Sequence, residues 1–296
     1  MIGKARANGI DIAYETFGSG PHPTLVLIMG LGTQMLGWND AFCRLLADEG
    51  LHVLRFDNRD VGLSSHLHDA SVPDMPAALA GDTSSAAYRL DDMADDTVGL
   101  LDALGIHGAH LVGASMGGMI AQTVTFRHPT RVRSLTSIMS TTGPAVGAPT
   151  AVAAGALLLA PPTNRDEAIR RAIETFRVIG SPGYPLDEEA LADLAGRSYD
   201  RSHDPAGFAR QFVAVLASGD RTAALRTVRV PTLVIHGRDD PLVGFDGGRA
   251  TADAVPGAEL LAFPGMGHDL PRPLWRPIID AIAGLVHRTE RSRDAS

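Results

Sequence analysis

Two hydrophobic periods alternate along the first half of the chain. Ile10-Asp11-Ile12-Ala13-Tyr14-Glu15-Thr16-Phe17 switches between apolar and polar positions, as a half-exposed strand does, and Gly18-Ser19-Gly20-Pro21 ends it. Residues 24–29 are an unbroken apolar run, the pattern of a strand covered on both faces in a parallel sheet. A loop with Gly30, Gly32 and Gly37 leads to a short helix over residues 40–48 that should turn Phe42, Leu45 and Leu46 inward. Residues 52–56 read as the next strand, 57–64 as its exit loop and 66–87 as a long surface loop. From 88 to 104 the apolar positions Leu90, Met93, Ala94, Val98, Leu101 and Leu104 fall at helical spacing, closed by Gly105. Strand 110–113, helix 116–126 and strand 132–139 follow.

Strand-helix alternation predicts an α/β fold, a mostly parallel central sheet with helices on both faces. At about residue 143 the alternation stops, and up to 219 the pattern is only helical. Asn164-Arg165-Asp166-Glu167 has the form of a capping box ahead of a stripe of Ile169, Ile173, Phe176 and Ile179. Asp204-Pro205 supplies an N-cap and first helical residue ahead of Phe208, Phe212 and Leu216 on one face. An all-helical insertion in such a sheet is most simply a cap over its C-terminal edge. Strands resume at 230–235 and 259–263, and the last helix, 272–286, turns Trp275, Ile278, Ile279, Ile282 and Leu285 inward. The expected division is an α/β core at 1–142, a helical cap at 143–219, the rest of the core at 220–288 and a frayed polar tail at 289–296.

Composition narrows the class. With 296 residues, 45% of them hydrophobic, the chain can bury a sizeable core. A net charge of -8 and no basic cluster argue against a nucleic-acid surface. The single cysteine, Cys43, sits on the apolar side of its helix and permits neither a disulfide framework nor a multi-cysteine zinc site. The first residues lack the apolar core of a signal peptide, and residues 144–162 are too interrupted by Gly147, Pro149 and Gly155 to span a membrane. A cytoplasmic protein with no membrane partner is the expectation.

The candidate chemistry begins at His110-Leu111-Val112-Gly113-Ala114-Ser115-Met116-Gly117-Gly118. A strand, a sharp Gly-x-Ser-x-Gly turn and a helix would lift a serine hydroxyl above the sheet. A serine needs a base, and in an open α/β sheet the chemistry lies at the carboxyl ends of the strands. His52, His107 and His110 lie at the wrong end, and His236 sits inside the segment that should present the acid. His268, in Pro264-Gly265-Met266-Gly267-His268-Asp269, follows the last strand at the correct edge. Its alternative role is a loop histidine capping the last helix.

The acid should follow the preceding strand, in His236-Gly237-Arg238-Asp239-Asp240-Pro241, which gives the order Ser, Asp, His. Asp240 is preferred, because Pro241 fixes the backbone behind it, whereas Asp239 beside Arg238 reads as a solvated ion pair. Two amides are needed for the oxyanion: Met116, after the serine, and Leu31, in the Gly30-Leu31-Gly32 turn. The less favoured alternative for that segment is an ordinary glycine turn.

Together these segments resemble the α/β-hydrolase family with a helical cap, and the likeness runs from Ile10 to Val286. Met29-Gly30, Leu36-Gly37-Trp38 and the 57–64 loop are similar, more narrowly, to carboxylesterases of the aclacinomycin methylesterase type. The resemblance implies Ser115 as nucleophile, Asp240 and His268 as its partners, and no metal or cofactor. Met29-Gly30 departs from the His-Gly of many members, which removes an imidazole behind the oxyanion loop.

The expected function is therefore hydrolysis of a carboxylic ester of a largely apolar small molecule. Lactone, carbon–carbon bond and perhydrolase chemistry use the same triad and remain open. So does a non-catalytic ligand-binding protein on the same fold. A dinucleotide site at Gly30-x-Gly32 lacks its third glycine, Met35 standing in that place. His66 and His68 with Asp69 are read as solvated loop residues rather than a metal site.

Overall fold

The computed structural model describes residues 2–295. Its strands are β1 (Gly3–Ala7), β2 (Ile10–Phe17), β3 (Thr24–Ile28), β4 (His52–Phe56), β5 (Ala109–Ala114), β6 (Val132–Ile138), β7 (Thr232–Gly237) and β8 (Glu259–Phe263). They form one eight-stranded sheet in the order β1-β2-β4-β3-β5-β6-β7-β8. The β1/β2 and β2/β4 pairs are antiparallel and every later pair is parallel. The helices are α1 (Asp40–Asp48), α2 (Met75–Leu79), α3 (Leu90–Ala103), α4 (Met116–Arg127), α5 (Ala151–Leu157), α6 (Arg165–Ile179), α7 (Glu188–Arg201), α8 (Pro205–Ala217), α9 (Thr222–Leu225), α10 (Phe245–Ala254) and α11 (Trp275–Asp294).

The apolar runs are explained by two cores, one on each face of the sheet. Val26, Ile28 and Leu111 join Leu90, Met93 and Leu101 of α3 and Ile120 and Val124 of α4. The alternate strand residues Leu25, Leu27, Val112 and Ile235 point the other way, onto Phe42 and Leu46 of α1 and Ile278, Ile279 and Ile282 of α11. Each side chain buried in this way contributes roughly 1.5–3 kcal/mol. On α1 one expectation fails. Cys43 is buried with Phe42 and Leu46, while Leu45 is exposed because it falls beyond the edge of the apolar stripe.

The last helix also differs from expectation. It does not end near Val286 with a frayed tail behind it but continues to Asp294. The extension has tertiary partners. Thr289 is buried, and Glu290 pairs with Arg133 of β6 at 2.9 Å and lies 3.3 Å from His110 of β5. The 66–87 segment likewise holds one helical element, the short α2, capped by Asp74.

Helices α5 to α8 lie between β6 and β7. The two ends of this insertion meet side by side, with the Arg221 amide donating to Thr142 O at 2.8 Å. The apolar stripe of α6 is only partly covered, Ile179 alone being fully buried. On α8 the buried positions are Gly207, Ala209, Arg210, Gln211, Val213, Ala214 and Ala217, while Phe208 and Phe212 stay half-buried and stack on each other. Polar side chains thus dock α8 on the core, a face that its apolar pattern did not announce.

Candidate active site

The parallel strands bring four loops to one edge of the sheet. After β5, Ser115 adopts φ 57° and ψ -122°, a conformation costly for any residue with a Cβ. Tight packing enforces it. A Cβ at Gly113 would overlap the Gly117 carbonyl, and one at Gly117 would overlap the Ile28 carbonyl. Glycine at both positions lets α4 start directly against β5 and β3. The Ser115 amide is fixed by Ile138 O at 2.9 Å.

After β8, His268 reaches this serine. Its Nε2 lies 3.0 Å from Ser115 Oγ, and its Nδ1 lies 2.8 Å from Asp240 Oδ2. Asp240 follows β7 with its carboxylate fully buried, and its Oδ1 accepts from the Leu242 and Val243 amides, both at 2.9 Å. A carboxylate so held accepts the Nδ1 proton and leaves Nε2 free to accept from the serine hydroxyl. The His268 ring thus bridges the Ser115 hydroxyl and the buried Asp240 carboxylate, in the order expected of these three residues from the sequence.

The other sequence candidates fall elsewhere. Asp239 is exposed, and its Oδ2 accepts from the Gly265 amide at 2.7 Å. It forms no pair with Arg238, whose guanidinium lies over the Phe245 ring instead. Asp239 thus braces the histidine loop. His236 is fully buried, with its Nε2 2.8 Å from Val243 O, and burial lowers its pKa, so that it is a neutral structural group.

The turn after β3 lies against the serine. A Cβ on Gly30 would sit 3.1 Å from Ser115 Cβ. The turn is closed by the Thr33 amide on Gly30 O at 3.2 Å. Among the described residues no hydrogen-bond acceptor is found for the Leu31 or Met116 amide. Amide N–H groups near a serine hydroxyl are the kind of donor that an oxyanion requires. Met29, in place of a histidine, holds the loop through its carbonyl, which accepts from Asn58 Nδ2 at 2.9 Å.

The exit loop of β4 carries a buried ionic network that sequence reasoning missed. Asp57 accepts from the Met35 and Leu63 amides and pairs with Arg201 of α7 at 2.6 Å. Arg59 pairs with Asp96 at 2.6 Å and Asp60 with Arg210 at 2.7 Å. The one signal was the concentration of charge in Asp57-Asn58-Arg59-Asp60. His66 and His68 gather with Asp204 of the cap, not with Asp69, their ligand-type atoms all lying within 4.8 Å. His66 Nδ1 is 2.7 Å from Asp204 Oδ2, and Arg210 lies 3.3 Å from that same oxygen. A cation there would sit against the guanidinium, so the group serves as part of the ionic network.

The cap grips the histidine loop as well. The His268 amide donates to Ile179 O at 2.7 Å, and Ser181 Oγ accepts from the Gly267 amide at 2.9 Å. Ser181 also donates to Asp269, whose carboxyl is pushed above its ordinary range by burial.

Comparison with known proteins places these features in context. The family model described as the alpha/beta hydrolase fold matches residues 23–271. A rhodomycin D methylesterase of Streptomyces sp. (strain C5) is 27% identical over 290 residues, covering 90% of this chain and 92% of that protein. A 2-hydroxymuconate semialdehyde hydrolase of Pseudomonas sp. (strain CF600) is 34% identical over 192 residues, covering 62% and 64%. Among solved structures, an enol-lactonase from Burkholderia xenovorans LB400 superposes with a TM-score of 0.72 at 22% identity, covering 96% of this chain and 100% of that one. No helix among the described residues is long and apolar enough to cross a membrane.

Proposed function

Because the chain belongs to the α/β-hydrolase family, we propose that it hydrolyses a carboxylic ester of a largely apolar small molecule through an acyl-enzyme on Ser115. One observation carries this reading: the His268 ring is hydrogen-bonded to Ser115 Oγ on one side and to the buried Asp240 on the other. In the mechanism, Ser115 Oγ attacks the ester carbonyl carbon while His268 Nε2 takes the hydroxyl proton. Asp240 holds the imidazolium in orientation. The Met116 and Leu31 amides donate to the oxyanion of the tetrahedral intermediate. Its collapse breaks the carbon–oxygen bond, and His268 passes its proton to the departing alkoxide. A water molecule, deprotonated by His268, then repeats the sequence on the acyl-enzyme and frees Ser115.

The apolar preference is supported by the half-buried Phe176, Phe208 and Phe212 of the cap, Phe208 packing directly on Gly32 of the oxyanion turn. The likeness to a methylesterase over 90% of the chain supports an ester with a small alcohol. Lactone and carbon–carbon bond hydrolysis need the same three groups. The second is the alternative favoured by the 34% identity to the semialdehyde hydrolase.

A panel of esters graded in acyl size, with aromatic methyl esters and lactones included, tests the proposal alongside Ser115→Ala. The variant should lose about five to six orders of magnitude in kcat, since triad members act as a unit. If it keeps a tenth of the activity, Ser115 is not the nucleophile. If wild type neither turns over the panel nor is labelled by a fluorophosphonate, the protein is a binding module on this fold.

A further inference from the structure

The cap hydrogen-bonds to the oxyanion turn through the side chain of Gln211. It is completely buried on the core-facing side of α8 and uses both ends of its amide. Oε1 accepts from the Gly32 amide at 2.8 Å, and Nε2 donates to Arg59 O at 2.6 Å. Because one partner is an N–H and the other a carbonyl, the orientation of the side-chain amide is fixed by chemistry.

Gly32 is the third residue of the turn Gly30-Leu31-Gly32-Thr33, with φ +63°, whereas Leu31 is not among the residues of positive φ. A turn with positive φ at the third residue alone is of type II, which differs from type I by a flip of its central peptide. Here that peptide joins Leu31 to Gly32. Its N–H is taken by Gln211, and its carbonyl accepts from Thr33 Oγ1 at 3.2 Å. Phe208, one helical turn before Gln211, closes the far side, since a Cβ on Gly32 would fall 2.6 Å from its ring. Held at both ends, the central peptide anchors the Leu31 and Gly32 Cα atoms, and with them the place of the turn against Ser115.

We propose that Gln211 is a positioning residue for the reaction. By anchoring the Leu31–Gly32 peptide it keeps the turn that carries the Leu31 amide seated against Ser115, and so makes the cap a structural part of the oxyanion site. The proposal rests on the serine-hydrolase reading above. Losing an oxyanion donor outright costs about 10²–10³ in kcat. Losing only its alignment should cost less, about 10- to 100-fold, with KM nearly unchanged.

The test compares Gln211→Met, which keeps the volume but has no acceptor for Gly32, with Gln211→Glu, which keeps the acceptor oxygen. Each is assayed on an oxygen ester and on the matching thionoester, whose sulfur is a weak acceptor of amide hydrogen bonds. The expected result is a lower kcat for Gln211→Met on the oxygen ester and a smaller oxo-to-thiono rate ratio, with both substantially restored in Gln211→Glu. Equal losses on both substrates would mean general damage to the fold and overturn the proposal, as would an unchanged ratio. The rate of Ser115 labelling by a fluorophosphonate, whose phosphoryl oxygen takes the oxyanion position, separates the two levels. Labelling of wild type with an unchanged rate in Gln211→Met sinks the positioning role alone. No labelling of wild type at Ser115 sinks the serine-hydrolase reading and this proposal with it.

Discussion

Replacing Arg210 by methionine should be among the most damaging single changes outside the site, because it strands a buried carboxylate. Arg210 and Asp60 have side-chain exposures of 1% and 0%, and the guanidinium fork makes two bonds, Nε to Oδ2 at 2.9 Å and Nη2 to Oδ1 at 2.7 Å. Methionine fills much of the same volume but donates nothing. The Asp60 carboxylate then keeps the Leu67 amide at 2.7 Å, far less than a buried charge requires. Removing one partner of such a pair costs about 3–5 kcal/mol. At about 2 °C per kcal/mol for a domain of this size, Tm should fall by roughly 6–10 °C. Calorimetry at neutral pH, with a chemical-denaturation midpoint as a second measure, reads the loss. The double variant Asp60→Asn/Arg210→Met removes the stranded charge and should recover more than half of it, because two buried charges also carry their own desolvation cost. A fall below about 2 °C for Arg210→Met, or a double variant no better than the single, would refute the argument.

Two further outcomes follow from the site. Asp240→Asn should lower kcat about 10⁴-fold by favouring the wrong imidazole tautomer, whereas Asp239→Asn, which alters an exposed brace to Gly265, should stay within about threefold of wild type. The reverse ranking in steady-state kinetics would transfer the acid role to Asp239. Asp269→Asn should change stability with pH. Burial raises the Asp269 pKa in the folded state, so its favourable contribution is present below the ordinary carboxylate range and is lost as pH rises through the raised value. The Tm of the asparagine variant relative to wild type should therefore climb from acid toward neutral pH and then level off, and a flat or falling difference would contradict this.

Much of the site was legible because its constraints are local. Gly113 and Gly117 mark where backbones touch, and the apolar runs of β3 and β5 require cover on both faces. The order of Ser115, Asp240 and His268 follows from loops at the carboxyl ends of parallel strands. What was not legible depends on partners remote in sequence. The apolar pattern of α8 singled out Phe208, Phe212 and Leu216 and was silent on Arg210 and Gln211, and residues 289–296 read as a frayed end. Yet Arg210 finds Asp60 and Gln211 finds the Arg59 carbonyl about 150 residues away, and Glu290 finds Arg133. Asp239 shows the same limit at short range, since the Gly265 amide that it holds comes from the neighbouring strand's loop.

The sequence by itself thus determined seven of the eight strands, leaving out β1, and pointed to the strained serine and the candidate groups in line with it, because periodicity and steric contact act along the chain. Only the tertiary structure decided which polar residues leave water and what the cap holds in place. A charged or amide side chain can be buried only against a specific partner, and that partner is chosen by the packing of elements far apart in sequence.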